Sequence, residues 1–359
     1  HSKWCWTLKK WIDKSFIKRF SFPNKLNMKK KIVSEKLETP NQKMYCQGCG
    51  SKISKKTLID YLSENSKNNE LADSNIVKFS NNQILQTVDH IKLFNSIDPF
   101  DFGIISYLHS QNDIIAAGGS VHSINISVGV PFGDGNTEIF YLKSFMKGVE
   151  YLCKFDNASI ISGHSYQTFE PGITINMNGI YKHESKKTLA KENNLIYLSK
   201  PLGVGYLLAA YFKNSDLLDS QDFKEVLSSM KLSNKNASEI AKKHQTKSMT
   251  DISGFGLASH LGDICKSSGL TANIHLDEKL LINPNLEILK NFQSTGYKNN
   301  YKSVSQYINI VGNNSYLDIL YDPQTNGPLL IIIEENKKDS FEEGFLKFYQ
   351  KRPILIGNF

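Results

Sequence analysis

Two cysteines and a lysine share one short glycine-rich stretch, Tyr45-Cys46-Gln47-Gly48-Cys49-Gly50-Ser51-Lys52. C-x-x-C spacing suits a zinc site or a redox pair. A structural zinc site needs four ligands, and the sequence has no second C-x-x-C and no H-x-x-x-H. A thioredoxin-type pair sits in a βαβ unit, whereas the residues ahead of Cys46 read as linker. What remains is a reactive thiol near an ammonium: Lys52 favours the thiolate of Cys49. Gly48 and Gly50 let such a loop close over a ligand. A flexible tip with incidental cysteines fits the same spacing.

Carboxylates form a second group. Asp73 precedes Ile76 and Val77, and Asp89 ends the strand pattern Ile84–Val88. Asp98 and Asp101 lie in a turn into a helical stretch, Asp113 falls near its end, and Asp251 stands in Met249-Thr250-Asp251-Ile252-Ser253-Gly254-Phe255-Gly256. Carboxylates converging from separate elements are how proteins hold Mg²⁺ on a polyphosphate. Taken singly, each reads first as a helix cap or turn residue. Glycine-rich segments come third. Ser162-Gly163-His164-Ser165 follows the strand-like Ile160-Ile161, while Leu202-Gly203-Val204-Gly205 and Gly254-Phe255-Gly256 each open a helix. Amides at a helix start can face a phosphate. None of the three is a Walker loop or a full G-x-G-x-x-G, and tight turns account for each as well. His164 is a candidate base or phosphate donor, or a plain turn residue.

Two sheet-and-helix domains are expected to position these groups. Residues 1–43 read as a basic amphipathic helix (1–20) and a linker, and residues 44–69 as the Cys/Lys loop with a short helix from Ser54. Residues 70–183 form a first α/β domain, with strands at Ile84–Val88, His122–Val130 and Ile173–Met177 and helices around 102–112 and 138–153. A polar boundary, 183–194, leads to a second domain over 195–359. Its helices are expected at 204–213, 217–231, 236–244, 256–268 and 336–350, and its strands at 195–199, 271–276, 328–333 and 353–357.

Composition narrows the function classes. At 40% hydrophobic and 22% charged, the 359-residue chain can bury a sizeable core and is not a disordered chain. Its longest aliphatic run, Leu329–Ile333, is far short of the ~20 residues of a membrane span. The net charge of +8 is concentrated in residues 1–60, which hold 15 Lys/Arg against 4 Asp/Glu. The only arginines are Arg19 and Arg352, so guanine-reading forks are almost absent and no nucleic-acid partner is expected. Phosphate must then be held by Lys, backbone N–H groups or a metal. Three tryptophans on the basic 1–20 helix could touch a membrane surface; packing against a preceding domain is the favoured reading. Five cysteines, few and odd in number, fit a reducing cytoplasm. The chain begins with His1 rather than Met and is expected to be a piece of a longer one.

In order along the chain, eight segments resemble the selenide, water dikinase (selenophosphate synthetase) family. They are Cys49-Gly50-Ser51-Lys52-Ile53-Ser54, Thr87-Val88-Asp89, Asp98-Pro99-Phe100-Asp101-Phe102-Gly103, Asp113 with Ala116-Ala117-Gly118-Gly119, Gly163-His164-Ser165, Ser199-Lys200-Pro201-Leu202-Gly203, Thr250–Gly256, and Asp322-Pro323-Gln324-Thr325-Asn326-Gly327. The resemblance spans roughly residues 44–357. It implies an α/β, two-domain fold like aminoimidazole ribonucleotide synthetase, with the first domain building a sheet barrel across a homodimer. It implies the reaction ATP + selenide + water → selenophosphate + AMP + phosphate, with Mg²⁺. By the family pattern Cys49 is the active-site thiol and Lys52 is essential beside it. Asp73, Asp113 and Asp251 hold Mg²⁺. Lys52, Glu70, Leu71, Ala72, Asp89, Asp113, Gly163, His164 and Ser165 face ATP. Residues 6–20 resemble the end of a pyridine-nucleotide-disulfide oxidoreductase domain fused ahead of this enzyme in some bacteria. There are departures: Ala72 replaces the first acid of an Asp-Asp pair, Gly327-Pro328 replaces a Gly-Gly, and the chain ends where the family adds a strand. A thiamine-phosphate kinase-like or hydrogenase-maturation-like enzyme of the same superfamily is the near alternative, and a non-catalytic metal-binding module the distant one.

Overall fold

The structure is a computed structural model. It describes residues 74–359, apart from 80–81, 95–96, 184, 186, 214–215, 302–305 and 313. The described residues belong to one compact unit, Lys43–Phe359. The 1–20 helix, the linker, the Cys/Lys loop and Glu70, Leu71, Ala72 and Asp73 lie outside the described residues.

The first lobe is a five-stranded sheet in the order β1-β2-β5-β3-β4. Its strands are β1 (Asn75–Phe79), β2 (Asn82–Lys92), β3 (Gly119–Pro131), β4 (Ser159–Thr168) and β5 (Gly172–Tyr181). Only β3 and β4 pair in parallel, and the helix between them supplies the crossover that a parallel pair requires. That helix is α2 (Gly135–Asp156), and α1 (Pro99–Ala116) precedes β3. Asp98 caps α1 by accepting from Phe100 N at 2.8 Å, and Pro99 follows at the first helical position, where its missing N–H costs nothing. The two helices cross on glycines. A Cβ on Gly148 would lie 2.2 Å from the Phe100 carbonyl oxygen, and one on Gly103 would lie 2.3 Å from that of Phe145.

The second lobe is a six-stranded sheet in the order β7-β10-β6-β11-β8-β9. Its strands are β6 (Leu195–Leu198), β7 (Ser248–Asp251), β8 (Ala272–His275), β9 (Ile308–Val311), β10 (Leu329–Ile333) and β11 (Ile354–Asn358). Its longer helices are α3 (Val204–Phe212), α4 (Ser220–Lys231), α5 (Lys235–Lys243), α6 (Gly256–Ser268) and α9 (Lys338–Tyr349), with α7 (Leu286–Asn291) and α8 (Tyr297–Tyr301) between. Strand β10, next to the β7 edge, is buried on both faces, which is why its sequence is an unbroken aliphatic run. Leu330 and Ile332 join the main core that runs through both lobes. Leu329, Ile331 and Ile333 pack into a second core with Phe341, Phe345 and Ile115 from the end of α1.

Helix α1 is thus walled in by both lobes, and His109, Gln111 and Asn112 on it are almost fully buried. Buried polar groups need partners. Ser233 donates to Gln111 at 2.8 Å and Asn234 to Asn112 at 3.0 Å. Lys231 pairs with Asp101 and Lys235 with Asp156, both at 2.7 Å. The segment from Lys231 into α5 therefore lies along α1 as a polar seam. The sequence expectation that Asp89 ends its strand is corrected: β2 continues to Lys92, because antiparallel pairing with β5 runs through to Lys92↔Gly172. Strands β1, β7 and β9 were not expected and complete the two sheets.

Candidate active site

Strand β2 and helix α1 bring four polar side chains together. Thr87 and Asp89 lie two apart on one face of β2, and His109 and Asp113 lie four apart on one face of α1. Two strand steps cover about 6.8 Å and four helical steps about 6 Å, so the pairs match rung to rung. Thr87 Oγ1 donates to Asp113 Oδ2 at 2.5 Å. His109 Nε2 stands 3.7 Å from Asp89 Oδ1, with both side chains nearly buried. Asp113 sits in the last turn of α1, where the helix dipole is negative. Asp113 at that end and Asp89, beside His109 one helical turn back, make a place that attracts a cation.

Asp251 ends β7, is 1% exposed and pairs with Leu329 of β10. The segment after it is zipped to the Asp322–Pro328 segment, through Ile252 N to Pro328 O at 2.9 Å and Gln324 N to Ser253 O at 3.1 Å. His260 of α6 accepts from Ser253 N at 3.4 Å and meets Thr250 Oγ1 at 3.4 Å. Among the described residues no three His, Cys, Asp or Glu side chains gather as a metal site. The third acid of the expected set, Asp73, lies outside the described residues, as do Cys49 and Lys52.

Gly163, His164 and Ser165 are not a loop. They lie inside β4, an edge strand, paired with Ile126, Ser127 and Val128. The alternating Ile124, Ile126 and Val128 of β3 offer a parallel ladder that outweighs the turn preference of Gly and Ser. Asp89, Ile175, Ile126 and Gly163 form one transverse row of the sheet. Asp89 and Gly163 are therefore three strand spacings apart, about 14 Å. His164 is exposed and its ring stacks on Tyr166, centroids 6.0 Å apart. The sheet face away from α1 and α2 carries a polar ladder, with Gln86 donating to Asn178 at 3.0 Å and Asn178 to Ser123 at 3.3 Å, beside Val88, which is 62% exposed.

Leu202–Gly205 does open helix α3, but its amides are already used. Gln324 Oε1 accepts from Gly203 N and Val204 N, and Asp322 Oδ2 accepts from Gly205 N at 3.0 Å. The chain's own side chains stand where a phosphate would. Burial pushes Asp322 up to about 8, against the hydrogen bonds it accepts. Nearby, buried Lys200 donates to the carbonyls of Ser229 and Leu232 at 2.8 and 3.0 Å, and desolvation brings its ammonium down to about 7.

Comparison with known proteins gives this arrangement a family. The N-terminal domain of AIR synthase related proteins matches residues 72–181, and the C-terminal domain of the same group matches residues 191–348. Selenide, water dikinase of Caldanaerobacter subterraneus subsp. tengcongensis is 31% identical over 76% of this chain and 79% of its own. The Yersinia pestis protein of that name is also 31% identical, over 80% of this chain and 84% of its own. The chain belongs to the selenide, water dikinase family. Its fold is also that of thiamine monophosphate kinase from Aquifex aeolicus, with a TM-score of 0.62 at 18% identity over 84% of this chain and 93% of that one.

Within the dikinase family pattern, the structure brings Asp89 and Asp113 to one strand–helix interface. It places Asp251 in the second sheet and Gly163–Ser165 on an edge of the first. Sequence reasoning gave Thr87, His109 and Asn326 no role. The signal was present for two of them: Thr87/Asp89 at period two and His109/Asp113 at period four mark the matching faces of a strand and a helix.

Proposed function

We propose that this chain makes selenophosphate from ATP, selenide and water, releasing AMP and phosphate. The observation that carries the reading is the identity with curated selenide, water dikinases along three quarters or more of the chain. Both phosphoanhydride bonds of ATP break, one phosphoryl group going to selenium and the other to water.

Asp113 and Asp251, with Asp73, are the proposed Mg²⁺ ligands. All are hard oxygen donors of the kind Mg²⁺ takes, and Asp113 lies at the negative end of α1. Bound Mg²⁺ would offset the charge of the triphosphate in a chain nearly without arginine. Asp89 and Asp113 face the nucleotide, with Lys52 and Glu70–Ala72, and Thr87 fixes the Asp113 carboxylate. Gly163–Ser165 contact the phosphates, and the thiol of Cys49 handles selenium beside Lys52. The protein works as a homodimer, in which a second copy covers the open face of the first sheet. That face is a polar ladder broken by exposed Val88 and bounded by β4, an edge strand among the described residues, both suited to burial against another sheet. The resemblance of residues 6–20 to the end of an oxidoreductase domain supports, as part of this proposal, a fusion to such a domain. The setting is the cytoplasm. Cys153 and Cys265 are free thiols, and no helix among the described residues is long and apolar enough to cross a membrane.

The test is ³¹P NMR of the protein with ATP, Mg²⁺ and selenide. A selenophosphate resonance with AMP and phosphate, all dependent on selenide, is expected. ADP as the sole product, indifferent to selenide, would move the chain to the thiamine-phosphate kinase-like reading.

A further inference from the structure

One imidazole connects the second lobe to Asp89. His109 is 2% exposed, and its Nδ1 accepts the backbone N–H of Asn326 at 3.2 Å. A ring nitrogen that accepts carries no hydrogen, so the neutral ring bears its proton on Nε2. Nε2 is the atom 3.7 Å from Asp89 Oδ1. The aim of the Asn326 N–H is itself fixed. Asn326 holds a left-handed conformation at φ +48°. Its amide nitrogen donates to the carbonyls of Met230 and Leu232, and its Oδ1 accepts from Asn112 Nδ2 at 2.8 Å. Every polar atom of Asn326 except its carbonyl oxygen is thus engaged in holding one turn against α1.

We infer that His109 is a positioning residue for the nucleotide site. It presents Nε2–H to Asp89, holds that carboxylate in one orientation, and offsets part of its repulsion of the triphosphate. The Asp322–Gly327 segment of the second lobe sets the ring by fixing its tautomer. This rests on the reading of Asp89 as a residue that faces ATP.

Two substitutions separate positioning from a merely structural pin. Asn places its oxygen near the position of Nδ1, so His109→Asn keeps the bond to Asn326 and loses the donor towards Asp89. Gln places its amide near Nε2, so His109→Gln keeps the donor and loses the acceptor. ATP affinity is measured by titration calorimetry with Mg²⁺ on the full chain, alongside KM and kcat for AMP release. His109→Asn is expected to weaken ATP about tenfold, through loss of the N–H that faces the Asp89 carboxylate at 3.7 Å, with kcat changed less than about twofold. His109→Gln is expected to stay within about threefold of wild type for ATP, even where its melting temperature falls. In an Asp89→Asn background, His109→Asn is expected to add less than about twofold, because the two residues act as one unit.

Wild-type ATP affinity in His109→Asn, or a Gln variant as weak as Asn, overturns the assignment. Wild-type protein that binds ATP but makes no selenophosphate defeats the proposed reaction alone, and the binding data still decide on His109. Wild-type protein that binds no ATP overturns both.

Discussion

Replacing Lys200 by Met is expected to change how stability depends on pH. Lys200 is fully buried, and desolvation lowers it to about 7, against an ordinary value near 10.4 in the unfolded chain. Between these two values the unfolded chain binds a proton that the folded chain has released, so stability rises with pH across that window. From pH 6.5 to 8.5 the contribution grows by about 2 kcal/mol, at 1.36 kcal/mol per fully developed pH unit. Asp322 opposes it. Its folded value, raised to about 8, makes the folded chain hold a proton the unfolded chain has lost, and that stability drains away as pH rises through 8. The wild-type profile therefore conceals the lysine, and the comparison that shows it is wild type against Lys200→Met. Met fits the volume and leaves each carbonyl one donor, Leu232 N for Ser229 at 3.3 Å and Asn326 Nδ2 for Leu232 at 3.2 Å. Urea denaturation at pH 6.5, 7.5 and 8.5 is expected to show wild type gaining on the variant by about 2 kcal/mol across the series. A difference that stays constant with pH would mean Lys200 is protonated throughout in the folded chain, and the desolvation argument would fail.

Cys49→Ala and Lys52→Ala are each expected to abolish selenophosphate in ³¹P NMR while the circular dichroism spectrum is unchanged; activity retained in either removes that residue from the proposed chemistry. Asp251→Asn is expected to raise the Mg²⁺ concentration for half-maximal AMP release, and an unaltered Mg²⁺ curve takes it out of the metal set. Gly148→Ala puts a Cβ 2.2 Å from the Phe100 carbonyl oxygen, a backbone atom that cannot step aside. It is expected to cost about 1–3 kcal/mol by forcing α1 and α2 apart, read as a lower urea midpoint. A midpoint equal to wild type would show that the crossing has slack.

The elements legible in the sequence were those with a strong period and a marked end. Helix α1 announces itself through Asp98-Pro99, a cap and a first-turn proline, and β10 through five aliphatic residues in a row. Asp113 also fell where spacing put it, near the end of α1, whereas Asp89 lies inside β2 and Asp251 ends a strand, β7, that was not expected. What misled was local preference overruled by neighbours. Gly163-His164-Ser165 has turn composition, yet β3 recruits it as a parallel strand. Leu202–Gly205 has the form of a phosphate loop, yet Gln324 and Asp322, more than a hundred residues away, cap it. Neither competing partner is visible in a short window. Asn326 was missed for the same reason: one polar residue in a polar segment has no meaning until its distant partners, His109 and Asn112, are known.

Helix α1 is where these separate facts become one device. Along one side it meets β2 through His109 and Asp113, and at Gly103 it meets α2. On another side it carries the polar seam to the second lobe, from Asp101–Lys231 through Gln111–Ser233 to Asn112–Asn234. A seam of buried and half-buried, mutually satisfied polar groups has few alternative arrangements, because any shift leaves several groups unpartnered at once. The two lobes are therefore coupled stiffly at α1. On the proposed reading, in which Asp89 and Asp113 face ATP, this strand–helix interface is a fixed floor for the nucleotide, and a hinge between the lobes at α1 would have to break the seam.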